Sequence, residues 1–342
     1  MIAFVGGFIF DTVTLNRIDS LLDQAVFVFY LCVAAGGILL VHAVETDTWT
    51  PTLLKRNKPW LPVLIQFPIG GLFSGFVIFY TKSASFFTSW LFLAILVVLF
   101  VGNEFLHRRY ERLVFQVSMF YFALLSYLVM LIPIIVGDIN TGVFILSGLT
   151  SLFVIALLLQ GVMRLFPDVY KRSAKTLVLS VGGIFILWNA LYAANIIPPV
   201  PLALKDIGVY HSVVRTDGAY EVLGEAPVWF RFWRSTAYVF HRAPGSAAYC
   251  YSAVFAPTRI TTDIYHVWMR QNAAGEWIRE SRIPFMIQGG RVAGYRGYTI
   301  KANLMPGNWR CVVETGKGQV VGEMRFRIED VEDTPTLVRS VR

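Results

Sequence analysis

The chain has 342 residues, of which 56% are hydrophobic and only 15% charged, with a formal net charge of +8. That composition, with a mean hydropathy of +0.58, excludes an ordinary soluble protein of this size and makes a membrane part of the solvent. Nearly all long uncharged runs precede Pro198, while charge alternates with aromatics after it, so the two regions need separate readings.

Met1 to Phe10 is apolar, with no basic residue before it and no small-residue cleavage site, so it reads as a retained segment rather than a signal peptide. It is too short to span a bilayer and reads as an interfacial or re-entrant lead-in. Asp11 to Asp23 carries Arg17 and Asp19 between apolar residues, the pattern of an amphipathic helix at the outer surface. Arg17, Asp19 and Asp23 thereby form a candidate polar cluster at the interface, in which Arg17 pairs with a carboxylate or with a lipid phosphate.

Six runs then approach spanning length: Ala25 to Val44, Trp60 to Tyr80, Ala84 to Phe105, Leu113 to Val136, Thr141 to Met163 and Thr176 to Ile197. Pro62, Pro68 and Pro133 fall within or near them, where a membrane helix tolerates a kink. The first, third and fifth loops carry Lys55, Arg56, Lys58, Arg108, Arg109, Arg112, Arg164, Lys171, Arg172 and Lys175, against Lys82 alone in the second and fourth. The asymmetry makes the odd loops cytoplasmic and places both termini outside. Ionisable residues look almost absent from mid-span, which disfavours ion-coupled transport. Gln116, Gln160 and Asn189 read as interhelical hydrogen-bonding groups, and Gly36-Gly37, Gly70-Gly71 and Gly182-Gly183 as sites of close helix packing.

Pro198-Pro199-Val200-Pro201 ends the last span and stiffens a linker. Beyond it, short alternating runs predict strands at Val228 to Trp233, Ala248 to Phe255, Ile264 to Arg270, Trp309 to Glu314 and Val320 to Ile328. Ala273-Ala274-Gly275-Glu276 and Thr315-Gly316-Lys317-Gly318 read as hairpin turns. The expected organisation is an α-helical polytopic membrane domain over residues 1–200, an all-β sandwich over 201–330 and a disordered acidic-then-basic tail over 331–342.

Leu304 to Val313 resembles the penultimate strand of immunoglobulin-like domains, and Cys250, Trp268 and Cys311 resemble their Cys-Trp-Cys order. Trp309 stands where those domains place a tyrosine. Cys250 and Cys311 either form a disulfide in an oxidising compartment or remain two buried thiols. His266-Val267-Trp268, Gly289-Gly290-Arg291, Gly294-Tyr295-Arg296, Pro306-Gly307-Asn308-Trp309-Arg310 and Gly322-Glu323-Met324-Arg325-Phe326 together resemble the bacterial domain-of-unknown-function family 2914, over about Tyr210 to Ile328. The resemblance implies a bacterial envelope protein and no particular reaction.

No nucleophile elbow, metalloprotease helix, phosphate loop or dinucleotide fingerprint is present. His211, His241 and His266 lack metal-ligand spacing, and Glu221, Glu225, Glu276 and Glu280 are scattered, so no catalytic residue, metal or cofactor is expected. An arginine and aromatic mixture is the candidate patch for a ligand or partner: Trp229, Arg231 and Trp233 on one strand face, with Arg291, Tyr295 and Arg296 around glycines. After Leu202, eighteen basic residues face thirteen acidic ones, 18 − 13 = +5. An outward-facing domain with that charge suits membrane lipid, an envelope protein or a glycan rather than nucleic acid. The leading expectation is a membrane-anchored envelope protein whose β-sandwich binds or scaffolds such a partner, with homo-oligomer formation through the helices. The alternatives are a lipid- or small-molecule-handling protein with a cavity near Arg17, Asp23 and Gln116, and a hydrolase or transferase whose carboxylates or histidines converge in one pocket.

Overall fold

The computed structural model describes residues 2–15, 17–48, 56, 58–83, 86–105, 112–216, 218–226, 236–291, 293–332 and 335–342. The chain divides into two compact units, one holding the helices and the other containing Leu202–Arg342.

Among the described residues the helical unit has seven α-helices: α1 (Ile2–Thr14), α2 (Leu21–Glu45), α3 (Val63–Ser83), α4 (Phe86–Phe105), α5 (Leu113–Val136), α6 (Thr141–Leu165) and α7 (Pro167–Ala193). Six helices, α2 to α7, are long and apolar enough to cross a membrane, which makes the chain a multi-pass membrane protein. The asparagine before α6 caps it, Asn140 Oδ1 accepting from the Val143 N–H at 2.9 Å. The last helix begins nine residues ahead of the apolar run at Thr176. Pro167 suits a first turn, and Lys171, Arg172 and Lys175 ride on the turns that follow.

At the centre of the bundle, α5 is buried along most of its length. The Trp188 ring of α7 meets Tyr80 of α3, Phe92 of α4 and Phe122 of α5 edge-on, with centroids at 6.5, 5.2 and 5.7 Å, so one side chain ties four helices. Two rings of α2 press into a notch on α3. A Cβ added to Gly71 would lie 2.5 Å from Tyr30, and one added to Gly75 would lie 2.5 Å from Phe27. Gly182 and Gly183 differ from expectation, because a Cβ there would meet nothing within 4 Å. Among the described residues nothing packs closely against that pair.

The expected amphipathic helix over Asp11 to Asp23 is also corrected. The backbone turns at Ile18 and Asp19, Ser20 is extended at φ −67 and ψ 124, and α2 starts only at Leu21. Two helices therefore meet where one was expected. One side of α1 packs on the bundle, with Phe8 5.3 Å from Phe100 of α4 and the Asp11 carboxylate accepting a bond from Ser74 of α3, while Ile9, Phe10 and Val13 stay exposed.

The second unit contains eleven strands among the described residues: β1 (Ala203–Tyr210), β2 (Ser212–Thr216), β3 (Ala219–Gly224), β4 (Val239–Arg242), β5 (Ala248–Phe255), β6 (Thr261–Gln271), β7 (Trp277–Gln288), β8 (Tyr295–Lys301), β9 (Gly307–Thr315), β10 (Val320–Asp330) and β11 (Val338–Val341). They form sheets of order β1-β5-β8, β4-β10-β9-β6-β7 and β11-β3-β2. The Cys250–Cys311 disulfide joins β5 of the first sheet to β9 of the second. Trp268 on β6 stands in register with Cys311 and packs into the same core as Trp309 and Phe326. With β1, β5 and β8 on one side and β6, β9 and β10 on the other, this is an immunoglobulin-like sandwich. The third sheet adds a layer, packing Val213, Tyr220 and Val222 against Tyr210, Tyr251 and Ala253 of the first sheet.

The tail expected to be disordered contributes β11, antiparallel to β3. Arg339 pairs with Glu221, and Tyr220 and Arg342 exchange backbone hydrogen bonds at 3.1 and 2.8 Å, which supplies the order that the tail's composition does not advertise. The strand expected at Val228 to Trp233 lies outside the described residues.

Candidate functional site

Only the half of the expected patch formed by Arg291, Tyr295 and Arg296 falls within the described residues. Trp229, Arg231 and Trp233 lie outside the described residues. Arg291 approaches the Tyr295 ring at 5.6 Å. Arg296, next along β8, points to the opposite side of its sheet and donates to the Arg342 carbonyl at 2.8 Å.

The interfacial trio is also divided. Arg17 binds Asp19 through two hydrogen bonds, at 3.0 and 2.8 Å, which identifies a carboxylate as its partner. Asp23 sits in the first turn of α2 and Gln116 in the first turn of α5, where Gln116 Oε1 meets His42 Nε2 at 3.1 Å. His42 is nineteen residues beyond Asp23 on α2, roughly 28 Å away at the α-helical rise. A single cleft shared by Arg17, Asp23 and Gln116 is therefore ruled out. Of the other polar residues in the spans, Asn189 donates within its own helix to the Phe185 carbonyl and Gln160 is exposed.

Sequence reading overlooked His42. It is buried with Nδ1 3.0 Å from Glu45, beside Phe166 at the α6–α7 junction. Only its helical position, one turn before the basic first loop, could have singled it out.

In the β unit the scattered carboxylates acquire distinct roles. Glu221 pairs with Arg339, Glu280 with Arg270, and Glu276 accepts from Asn272. Glu225 gathers two histidines: His211 Nε2 lies 2.9 Å from Oε1, and His241 Nδ1 lies 2.5 Å from Oε2 while its backbone N–H donates to Oε1 at 2.7 Å. Burial pushes the Glu225 carboxyl upward, but the bonds from His211 and His241 outweigh it and hold the group below the usual glutamate range. His211 also stacks on Phe240 at 4.0 Å. Among the described residues, no hydroxyl or thiol bonds to either ring, so the group ties β3 and β4 together without the makings of a nucleophilic triad.

His266 is wholly buried on β6. Its Nε2 lies 2.8 Å from Ser252 Oγ and its Nδ1 3.0 Å from Thr299 Oγ1, which also accepts from Trp268 Nε1 at 3.1 Å. Burial lowers its pKa to about 3, so the ring is neutral. Cys250, His266 and Cys311 bring their ligand atoms within 4.8 Å of one another. That set does not fit a metal ion, because the sulfurs are bonded to each other and both ring nitrogens are engaged.

The remaining arrangement is the outward side of the five-stranded sheet. Since Trp268 and Cys311 point into the core, alternation turns Tyr265, Val267, Arg310, Val312 and Glu314 outward, with Arg282, Glu323 and Arg325 beside them in register. The Arg282 guanidinium stacks 3.4 Å from the Tyr265 ring centroid and bonds Glu314 at 2.8 Å. Arg310 lies 4.6 Å over Trp277 and bonds Glu323, which also receives Arg325 at 2.6 Å. Carboxylates thus hold flat guanidinium groups against flat rings on one face, an arrangement that fixes side chains before any partner arrives.

No curated protein matches the chain. Among solved structures, an immunoglobulin-like protein from Pseudomonas aeruginosa is similar at 10% identity and a TM-score of 0.21, covering 36% of this chain and 97% of that one. A beta-glucosidase from Listeria innocua, in complex with gluconolactone, is similar at 9% identity and a TM-score of 0.20, over 36% of this chain and 16% of that one. Pseudomonas fluorescens alkylpurine DNA glycosylase AlkC, bound to DNA containing an abasic site analog, gives 12% identity and a TM-score of 0.20, over 89% and 98% of the two chains. The immunoglobulin-like assignment rests on the strand order and the bridge between sheets. Residues 261–328, from β6 into β10, match the family model described as "Protein of unknown function (DUF2914)", the family that the motifs of this C-terminal domain resemble.

Proposed function

We propose that this is a membrane-anchored envelope protein whose immunoglobulin-like domain recognises a second protein through the outward face of β6, β7, β9 and β10. The observation that carries the reading is the pair of stacked guanidinium groups, Arg282 on Tyr265 and Arg310 on Trp277, held in place by Glu314 and Glu323. Arginine, tyrosine and tryptophan dominate the energetics of protein interfaces, and side chains already fixed lose less entropy on binding. The basic odd loops and the disulfide support an inner-membrane location with this domain in the periplasm.

A photo-crosslinking residue placed at Arg325, whose side chain is 40% exposed, tests the reading in native membranes. The expected result is one protein crosslinked in the full-length chain and at least tenfold less of it in an Arg282→Ala, Arg310→Ala double variant with an unchanged unfolding temperature. Equal crosslinking by the double variant, or none by either protein, would sink the proposal.

A further inference from the structure

The residue spacing along α3 puts Gln66, Gly70, Ser74, Ile78 and Lys82 on one helical face, four residues apart. That face is polar at three of its five positions, although it runs through the interior of a membrane bundle. At its start, Gln66 and Asn103 of α4 exchange bonds, Gln66 Nε2 to the Asn103 carbonyl at 2.9 Å and Asn103 Nδ2 to the Gln66 carbonyl at 3.1 Å. At the next level Gly70 makes room for the Asn103 side chain, since a Cβ there would sit 2.8 Å from its amide nitrogen. At the far end, Lys82 Nζ donates to the Leu15 carbonyl at 2.8 Å.

Between these ends stands Ser74, buried, eleven residues after the start of α3 and nine before its end. A 21-residue helix is about 31 Å long, close to the hydrocarbon thickness, so Ser74 lies near mid-depth. Its hydroxyl donates to Asp11 Oδ2 at 2.5 Å. The carboxyl of Asp11 is thus brought to the middle of the membrane by a helix too short to span it. Translocation measurements place the cost of an aspartate at such a depth at about 2.5–3.5 kcal/mol, so its retention there marks a working group.

We infer that Asp11 is a proton-binding carboxyl, held on the flank of the helical bundle at the level of Ser74. The groups packed around it leave the proton as the natural ligand. Tyr30 of α2 is the titratable neighbour, α3 offers the Ser74 hydroxyl, and α4 offers Phe100 against Phe8 and Asn103 one level away. The cation of this face, Lys82, is eight residues past Ser74, roughly 12 Å along the helix. A carboxyl with one hydroxyl donor and, among the described residues, no adjacent cation is satisfied by taking up H⁺ on its other oxygen, a step that needs no further reactant. Ile78 interrupts the polar face toward Lys82, and the Gln66–Asn103 pair closes it at the other end.

Dicyclohexylcarbodiimide, an apolar reagent, reports on such a group. A protonated carboxyl gives its proton to one carbodiimide nitrogen, the carboxylate oxygen adds to the central carbon, and an acyl shift leaves a stable N-acylurea. The full chain in lipid vesicles would be treated from pH 5 to pH 9 and read by peptide mass spectrometry. The proposal expects one added reagent on the Asp11 peptide, at least tenfold less of it at pH 9 than at pH 6, and none in an Asp11→Asn variant. Three results would overturn it: an unmodified Asp11 peptide at every pH, Asp19 and Asp23 modified as fully as Asp11, or protection of Asp11 by sodium at constant pH, which assigns the site to a metal cation. The decisive labelling is done on the unaltered protein, so a folding defect in the variant does not disable the test.

Discussion

His266 and Thr299 belong to opposite sheets of the sandwich, β6 and β8, yet their side chains meet in its core with Nδ1 3.0 Å from Oγ1. The bond joins the two layers next to the Cys250–Cys311 bridge and keeps a neutral imidazole where a charged one would be costly.

This arrangement predicts acid sensitivity with a definite window. In the unfolded chain His266 titrates near 6.5, whereas in the fold it titrates at about 3. Below pH 6.5 the unfolded chain binds a proton that the folded domain refuses, so stability is complete above 6.5 and falls as the pH drops toward 3. The slope is up to about 1.4 kcal/mol per unit, or roughly 2 kcal/mol at pH 5. Calorimetric unfolding of the full chain at pH 7 and pH 5 should show a loss in the β-domain transition that His266→Gln greatly reduces. Equal acid sensitivity in the variant would place its source elsewhere.

Opening the bridge should loosen the same core. Cys250 and Cys311 are 61 residues apart, and closing a loop of that length lowers unfolded-state entropy by the equivalent of about 4 kcal/mol. A Cys250→Ala, Cys311→Ala variant should lose hydrogen-exchange protection in peptides from β5, β6 and β9 while those from α5 keep theirs. Unchanged protection would show that packing of Trp268 and Trp309 suffices.

Glu225 should matter beyond its size. Its lowered pKa adds stability that is present above the ordinary glutamate range and lost as the pH falls through the lowered value. At pH 7, Glu225→Ala removes the acceptor for both histidines, at a cost of about 1.5–3 kcal/mol. Faster hydrogen exchange at Ala219–Gly224 and Val239–Arg242 is the expected reading, and unaltered exchange there would show the bonds to be dispensable.

The α3 notch gives a steric prediction. Gly75→Leu drives a side chain into the Phe27 ring, and overpacking of this kind costs about 1–3 kcal/mol. The unfolding temperature in detergent should fall, whereas Gly182→Leu, which meets nothing within 4 Å, should leave it nearly unchanged.

What could be read in advance depended on how local each signal was. Leu113 to Val136 matches α5, and Ala248 to Phe255 matches β5, because hydropathy and alternation are written residue by residue. Strand β8 escaped notice because Arg296 and Gly297 break its apolar pattern, and β11 because a charged tail resembles disorder. The face with the stacked arginines was harder still. Arg282 reaches Tyr265 only because register sets Val267 opposite Arg282, and Asp11 meets Ser74 across 63 residues. Such partnerships exist only once the elements have packed.

Strand β4 carries a consequence for the order of assembly. It lies parallel to β10, and Arg242 finds Asp330 across 88 residues of chain. The edge of the five-stranded sheet therefore stays unpaired until nearly the whole domain has been synthesised. Pairing of this kind raises contact order and slows folding, and it leaves a newly made chain exposed to wrong strand partners during the interval.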